Sequence, residues 1–298
     1  MLQRTIPLPH PIDLAGTWYG VRRGRHSPTS RVASDGIWRA TRSPGGPATI
    51  RFRPDGDVVE ATAWGDGAEA ALEVAPAMIG AEDHDEGFAP EHPLVARLWR
   101  DYGDHRIPRT GAVTETLISV VLEQRVTTFE ARRAQAQLTR RYGEAAPGPT
   151  NLLLPPDPDL LANVAYYDLH VLGVEQKRAD TVRRVAASAH RLDALVGLDL
   201  DEAFDRLMAV PGVGTWSAAQ TATVALGDAN AVPVGDAHLP SDVTYALTGR
   251  AVDDDEAMLD ALEPFWGQRG RVIRLIGAAG IHAPRRGPRY APRDDRFR

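Results

Sequence analysis

Leu207-Met208-Ala209-Val210-Pro211-Gly212-Val213-Gly214-Thr215-Trp216-Ser217-Ala218-Ala219 is the most specific stretch of this 298-residue chain. An amphipathic helix predicted over 201–208 runs into Pro-Gly-Val-Gly, and a second helix, predicted over 215–226, starts at once. Gly212 and Gly214 permit backbone angles that a side chain would obstruct. Their amides would stand at a helix N-terminus, where unpaired N–H groups and the helix dipole suit a phosphate. A phosphate held there fixes register on a nucleic acid without reading its sequence. The same residues would serve equally as a tight connection with glycines for geometry alone, and the local sequence leaves both open.

Outward from the hairpin, the pattern is helical from Pro93 onward. Val113–Tyr142 carries a helical apolar stripe with an interruption expected near 124–127. Residues 143–158 are proline-rich and read as a loop. Further helices are predicted over 180–195, 257–265 and 269–279. Before Pro93 the chain is β-rich, with strands expected at 36–41, 48–52 and 58–64 between turn formers, and a short helix over 69–78 limited by Pro76. The expected fold class is therefore α+β. A small β-rich mixed N-terminal domain (1–92) precedes a larger all-α region (93–283), and 284–298 is a basic tail whose order the sequence leaves open. The acidic, Pro/Gly-containing stretch 81–93 marks the boundary.

At 43% hydrophobic and 25% charged, the chain has the composition of a globular protein. No run of about 18 apolar residues suggests a membrane span, and the N-terminus lacks signal-peptide character, so a cytoplasmic location is expected. The absence of cysteine excludes disulfides, thiolate zinc sites, cysteine nucleophiles and cysteine-ligated iron–sulfur clusters. Lys177 is the only lysine, which confines lysine chemistry to one position. The net charge of −6 argues against indiscriminate binding to a polyanion. The charge is segregated, however: residues 55–86 hold ten acids and no arginine or lysine, whereas 265–298 hold nine arginines against two aspartates. Such runs read either as a local basic surface on an acidic whole or as solvated faces.

The hairpin resembles that of the helix-hairpin-helix DNA glycosylase superfamily. Val234-Gly235-Asp236-Ala237-His238-Leu239, about twenty residues on, resembles the aspartate motif of that superfamily, with Gly235 as an extra residue. Glu115–Thr127, Tyr142-Gly143-Glu144 and Leu172–Ala179 resemble the 3-methyladenine DNA glycosylase II branch in particular, as does the β-rich N-terminal part. The resemblance extends over nearly the whole chain.

What it implies is a monofunctional glycosylase of base excision repair, which flips a damaged base, an alkylated purine, out of duplex DNA and hydrolyses its N-glycosidic bond. Asp236 would be the catalytic carboxylate, stabilising positive charge on the sugar or orienting water. Asp242 is its rival. Pro211, Gly212, Val213 and Gly214, with Gln124 and Arg125, would contact DNA. Arg125 stands at the wedge position, where it would stack through its guanidinium plane or contact a phosphate. Trp216, Gln220 and Ala237 would line the base pocket. Gln220, Ala237 and Gly277 occupy positions that are aromatic in that branch, which puts the lesion in doubt. The carbonyls of Met208, Val210 and Val213 would hold a sodium or potassium ion; no other cofactor is implied. Bifunctional members carry a lysine where this chain has Trp216, so no lyase activity is expected. The partner would be lesion-bearing double-stranded DNA, bound by a monomer in the bacterial cytoplasm or nucleoid. The competing readings are a non-catalytic helix-hairpin-helix DNA-binding protein and a glycosylase for deaminated or oxidised purines.

Overall fold

Alternation of apolar and polar residues between turn formers produces a five-stranded sheet in the first quarter of the chain. The computed structural model describes residues 1–22 and 24–284, so the expected basic tail lies, from residue 285 on, outside the described residues. The strands are β1 (Leu2–Pro7), β2 (Ser30–Ala33), β3 (Gly36–Ser43), β4 (Gly46–Asp55) and β5 (Val58–Trp64), with α1 (Leu14–Trp18) between the first two. They pair antiparallel in the order β1-β5-β4-β3-β2. The Asp55↔Val58 pair closes a tight turn in which Gly56 takes φ +62°, an angle suited to glycine. β1 and β2 were not legible in the sequence. Prolines 7, 9 and 11 obscure β1, but an edge strand needs only one ladder and tolerates a proline at its end.

Strand periodicity sends Ile37, Ile50, Phe52, Val59, Ala61 and Ala63 to one face. There they meet Trp18, α2 (Ala68–Glu73) and α3 (Ala75–Met78) in a common core. The opposite face places Trp38 on Trp64, with ring centroids 5.4 Å apart, beneath Ala146, Leu152 and Leu154 of the loop that follows α6. The remaining helices are α4 (Pro93–Tyr102), α5 (Val113–Glu123), α6 (Thr128–Tyr142), α7 (Pro158–Asn163), α8 (Tyr166–His170), α9 (Gln176–Ala187), α10 (Ala189–Asp193), α11 (Leu200–Met208), α12 (Thr215–Thr221), α13 (Leu239–Thr248), α14 (Asp255–Leu262) and α15 (Arg269–Ala278). The architecture is thus α+β, and no helix of the described residues is long and apolar enough to cross a membrane.

Local signals explain most helix ends. The interruption after α5 arises because Thr127 caps α6 in a reciprocal box with Glu130. The helix expected over 180–195 is instead two. α9 starts earlier, at Gln176, and stops before Ser188; Asp193, at the end of α10, accepts the Thr114 amide at the start of α5. The helix expected over 215–226 widens after Thr221 into a π turn, Ala222–Leu226. Its Val224 and Ala225 carbonyls accept the amides of Thr110 and Gly111, which removes them from ordinary helical pairing. The fully buried α5 residues Val113, Leu117 and Val121 pack against α6, α9 and α12. A separate cluster joins Val95 and Leu98 of α4 to Val243, Met258, Leu262, Val272 and Leu275.

The acidic stretch after α3 is not a solvated face. Glu82 pairs with Arg109, Asp83 with Arg271 and Asp85 with Arg106 at 2.5 Å. The Asp83–Arg271 pair is bidentate, at 2.7 and 2.8 Å, and its side chains are 3% and 2% exposed. Arg274, one turn further along α15, donates to the carbonyls of Gly16, Thr17 and His105, and burial draws its guanidinium down to about 10. It keeps its charge at neutral pH. Through Arg271 and Arg274, α15 is tied to the segment behind the sheet.

Candidate active site

Ala203 and Leu207 anchor α11 in the core, and Val210 and Val213 continue that anchorage through the hairpin. Pro211, Gly212 and Gly214 are exposed, whereas the Val213 side chain is buried, so only its backbone can meet a ligand. The two glycines have different roles. Gly212 has φ +98°, and a Cβ there would lie 2.2 Å from Thr181 Oγ1 of α9. Gly214 is extended at φ −109°, ψ −177°, and a Cβ there would meet nothing within 4 Å. Gly212→Ala is therefore expected to destabilise the hairpin by about 1–2 kcal/mol from its left-handed backbone alone. Gly214→Ala should change stability by less than about 0.5 kcal/mol yet weaken binding to any duplex, lesion-bearing or not. Thermal melts and duplex titrations of the two variants check this; equal stability losses would contradict it.

The turn between α5 and α6 is braced on the hairpin. Gln124 Nε2 donates to the Gly212 carbonyl at 3.0 Å and to Ser217 Oγ at 2.9 Å. The next residue, Arg125, is exposed and has φ +54°, the only positive φ outside glycine among the described residues. Such a conformation persists only where its surroundings enforce it, and it clusters at functional positions. Gln124 thus positions the turn from within the protein, and Arg125 projects beyond it. On the other side, Arg184 Nη1 reaches the Pro211 carbonyl at 3.3 Å. Among the expected carbonyl ligands, that of Val210 already accepts the Val213 amide at 2.9 Å and retains a second lone pair.

Trp216 opens α12 half-buried, and its indole N–H donates to Asp236 Oδ2 at 2.9 Å. Asp236 Oδ1 accepts the amides of His238 and Leu239, at 2.9 and 3.0 Å, at the start of α13. The carboxylate accepts two amides at the start of α13 and the indole N–H, so three N–H donors fix its orientation. The additional Gly235 takes φ +89°, and its amide is held by the Asp255 carboxylate at 3.0 Å. That turn carries the chain from Val234 into the cap. Asp242, the rival carboxylate, has other partners. It is 13% exposed and accepts from His282 and the Ala283 amide, both at 2.8 Å, docking the segment after α15.

Gln220 follows Trp216 by one turn on the same face of α12 and is half-buried; Ala237 is exposed. Gly277 is exposed on α15, with nothing within 4 Å of where its Cβ would be. Lys177 is exposed in the first turn of α9. A cleft between the sheet and α5–α6 contains none of the expected site residues. It is lined by Thr29, Arg42, Glu115 and Gln135, and in it Glu115 accepts from Thr41 and pairs with Arg39 at 3.2 Å. Nothing local in the sequence marks Arg39 and Glu115 as partners.

The sheet, the surrounding helices and the hairpin together form a fold shared with solved DNA glycosylases. The chain superposes on a 3-methyladenine DNA glycosylase from Archaeoglobus fulgidus with a TM-score of 0.76 at 18% identity, covering 92% of this chain and 97% of that one. It also superposes on an 8-oxoguanine glycosylase/lyase from Clostridium acetobutylicum, solved with duplex DNA containing cytosine opposite 8-oxoG. The TM-score there is 0.61 at 17% identity, over 82% of this chain and 87% of that one. In sequence it is 34% identical over 135 residues to a probable bifunctional transcriptional activator/DNA repair enzyme, AlkA, of Mycobacterium tuberculosis. That similarity involves 44% of this chain and spans only about a quarter, 27%, of the curated relative. No protein-family model matches the chain.

Proposed function

We propose that this chain is a monofunctional DNA glycosylase of base excision repair, which flips an alkylated purine out of duplex DNA and hydrolyses its N-glycosidic bond. The observation that carries the reading is the Asp236 carboxylate, held at the start of α13 against the indole of Trp216, itself two residues past the hairpin. The hairpin amides would hold a phosphate, and Arg125 would enter the space left by the flipped nucleotide. As the C1′–N bond breaks, its electron pair leaves with the base and positive charge grows on the sugar. Asp236 faces that charge, and water then supplies the oxygen at C1′ and gives up a proton to solvent. A purine alkylated at ring nitrogen N3 or N7 already carries positive charge in the nucleotide, so it departs neutral without a general acid. A sodium or potassium ion on the Met208, Val210 and Val213 carbonyls would stiffen the hairpin and takes no part in these steps.

Two features support the monofunctional form. Trp216 stands where a Schiff-base lysine would be required, and its indole nitrogen is not nucleophilic. Lys177 is exposed at the start of α9, and its residue joins none of the hydrogen bonds that link the hairpin, Trp216 and Asp236. The test is a panel of duplexes bearing alkylated, deaminated or oxidised purines, each reaction split after incubation. Breaks are expected only in the half heated with alkali, and foremost with alkylated purines. Direct nicking by the wild-type protein would overturn the monofunctional reading, and its persistence in Lys177→Ala would mean that an amine other than Lys177 is at work. The open position at Gly277 and the unaromatic Gln220 and Ala237 support deaminated or oxidised purines as the second reading, which the same panel decides. Duplex binding with no product on any lesion would leave a non-catalytic binder.

A further inference from the structure

The segment Arg22-Arg23-Gly24-Arg25-His26, between α1 and β2, contains three arginines, a histidine and no acid. Gly24 and Thr29 lie along α6: a Cβ at Gly24 would be 2.8 Å from Arg132 Cδ, and Thr29 lines the same cleft as Gln135. Arg25, His26 and Arg132 are exposed, and no ion pair joins Arg22, Arg25 or Arg132 to a carboxylate among the described residues. Many arginines elsewhere in this chain are paired, as Arg39, Arg42, Arg106, Arg109 and Arg271 are. Arg22 instead turns back to donate to the Arg25 carbonyl, and its Nε is buried without a hydrogen-bond partner. Burial and the adjacent Arg25 guanidinium both pull the Arg22 guanidinium below its ordinary value. Cations crowded together without a counter-charge are stabilised when an anion arrives.

α6 connects this cluster to the candidate active site. Arg132 is one turn beyond Phe129 on the same face, and Phe129 is 61% exposed. Arg132 begins the second turn of α6, whose capping Thr127 follows Arg125 by two residues.

We propose that Arg22, Arg25 and Arg132 form a second phosphate-binding surface, through which the β-rich N-terminal part grips the duplex backbone to one side of the flipped base. The proposal rests on the duplex-DNA reading above. The surface supplies affinity without sequence information and extends the grip beyond the hairpin. Phe129, between the cluster and Arg125, adds an apolar face to the same edge.

The test is the salt dependence of binding to an abasic-site duplex that extends about ten base pairs to either side. Arg25→Ala/Arg132→Ala is expected to weaken binding and to flatten the slope of log K against log[salt] by about 1.8, or about 0.9 per lost contact. Arg25→Lys/Arg132→Lys should restore most of the slope. Arg53→Ala, which removes an exposed arginine of β4 paired with Glu60, should leave it unchanged. Wild-type affinity and slope in the double alanine variant would overturn the surface while leaving the glycosylase reading intact. Failure of the wild-type protein to bind the duplex at low salt would overturn both.

Discussion

Asp236→Asn is expected to slow base release on the order of 10²–10³-fold or more under single-turnover conditions, with duplex binding retained. Asparagine keeps an oxygen for the His238 and Leu239 amides, so the start of α13 stays capped. What it loses is the negative charge that the proposed reaction sets against C1′. It also turns its NH2 toward the Trp216 indole N–H, placing a donor against a donor where Asp236 Oδ2 accepted at 2.9 Å. Trp216→Phe separates the two effects, because it removes the indole donor while leaving the carboxylate charged and an aromatic ring in place. A modest loss in Trp216→Phe and a large one in Asp236→Asn would assign the effect to the charge. Full activity in the Asn variant would remove Asp236 from the chemistry.

Asp83→Ala should cost about 3–5 kcal/mol of stability, because it leaves a guanidinium buried without its counter-charge. The Arg271 side chain is 2% exposed, and Asp85, the other carboxylate that feels its charge, is already paired with Arg106. The substitution also strips the Ile107 amide of its acceptor, now at 3.1 Å. Urea denaturation measures the loss. Asp83→Leu/Arg271→Met should recover much of it, since apolar residues of similar volume need no pairing. A loss in Asp83→Ala below about 1 kcal/mol would mean that water or the neighbouring Gln268 side chain already satisfies Arg271.

The parts of the chain that were legible in its sequence are those governed by local physics. The hairpin could be read because an apolar stripe, a proline and two glycines act within about a dozen residues, and Thr127 with Glu130 marks a helix start in the same way. The place of Asp236 after the hairpin was legible only through the family resemblance. β1 and β2 were missed because an edge strand needs little periodicity and takes its order from a partner far along the chain, as Leu2 does from Ala63.

Other features depend on side chains that meet only after folding. Composition alone presents Glu82–Glu86 as a solvated acidic run, yet Asp83 finds Arg271, 188 residues away, and burial turns the pair into a structural fastening. Gly212 and Gly214 look alike in the sequence. The approach of Thr181 makes one a packing requirement, while the other is left open to a ligand. The α+β class, the hairpin and the absence of cysteine chemistry follow from the order of residues, because capping, periodicity and composition are properties of neighbours along the chain. Which carboxylates are fastenings, and which lies beside the indole, emerges on folding, because partnership between charges is set by distance in space.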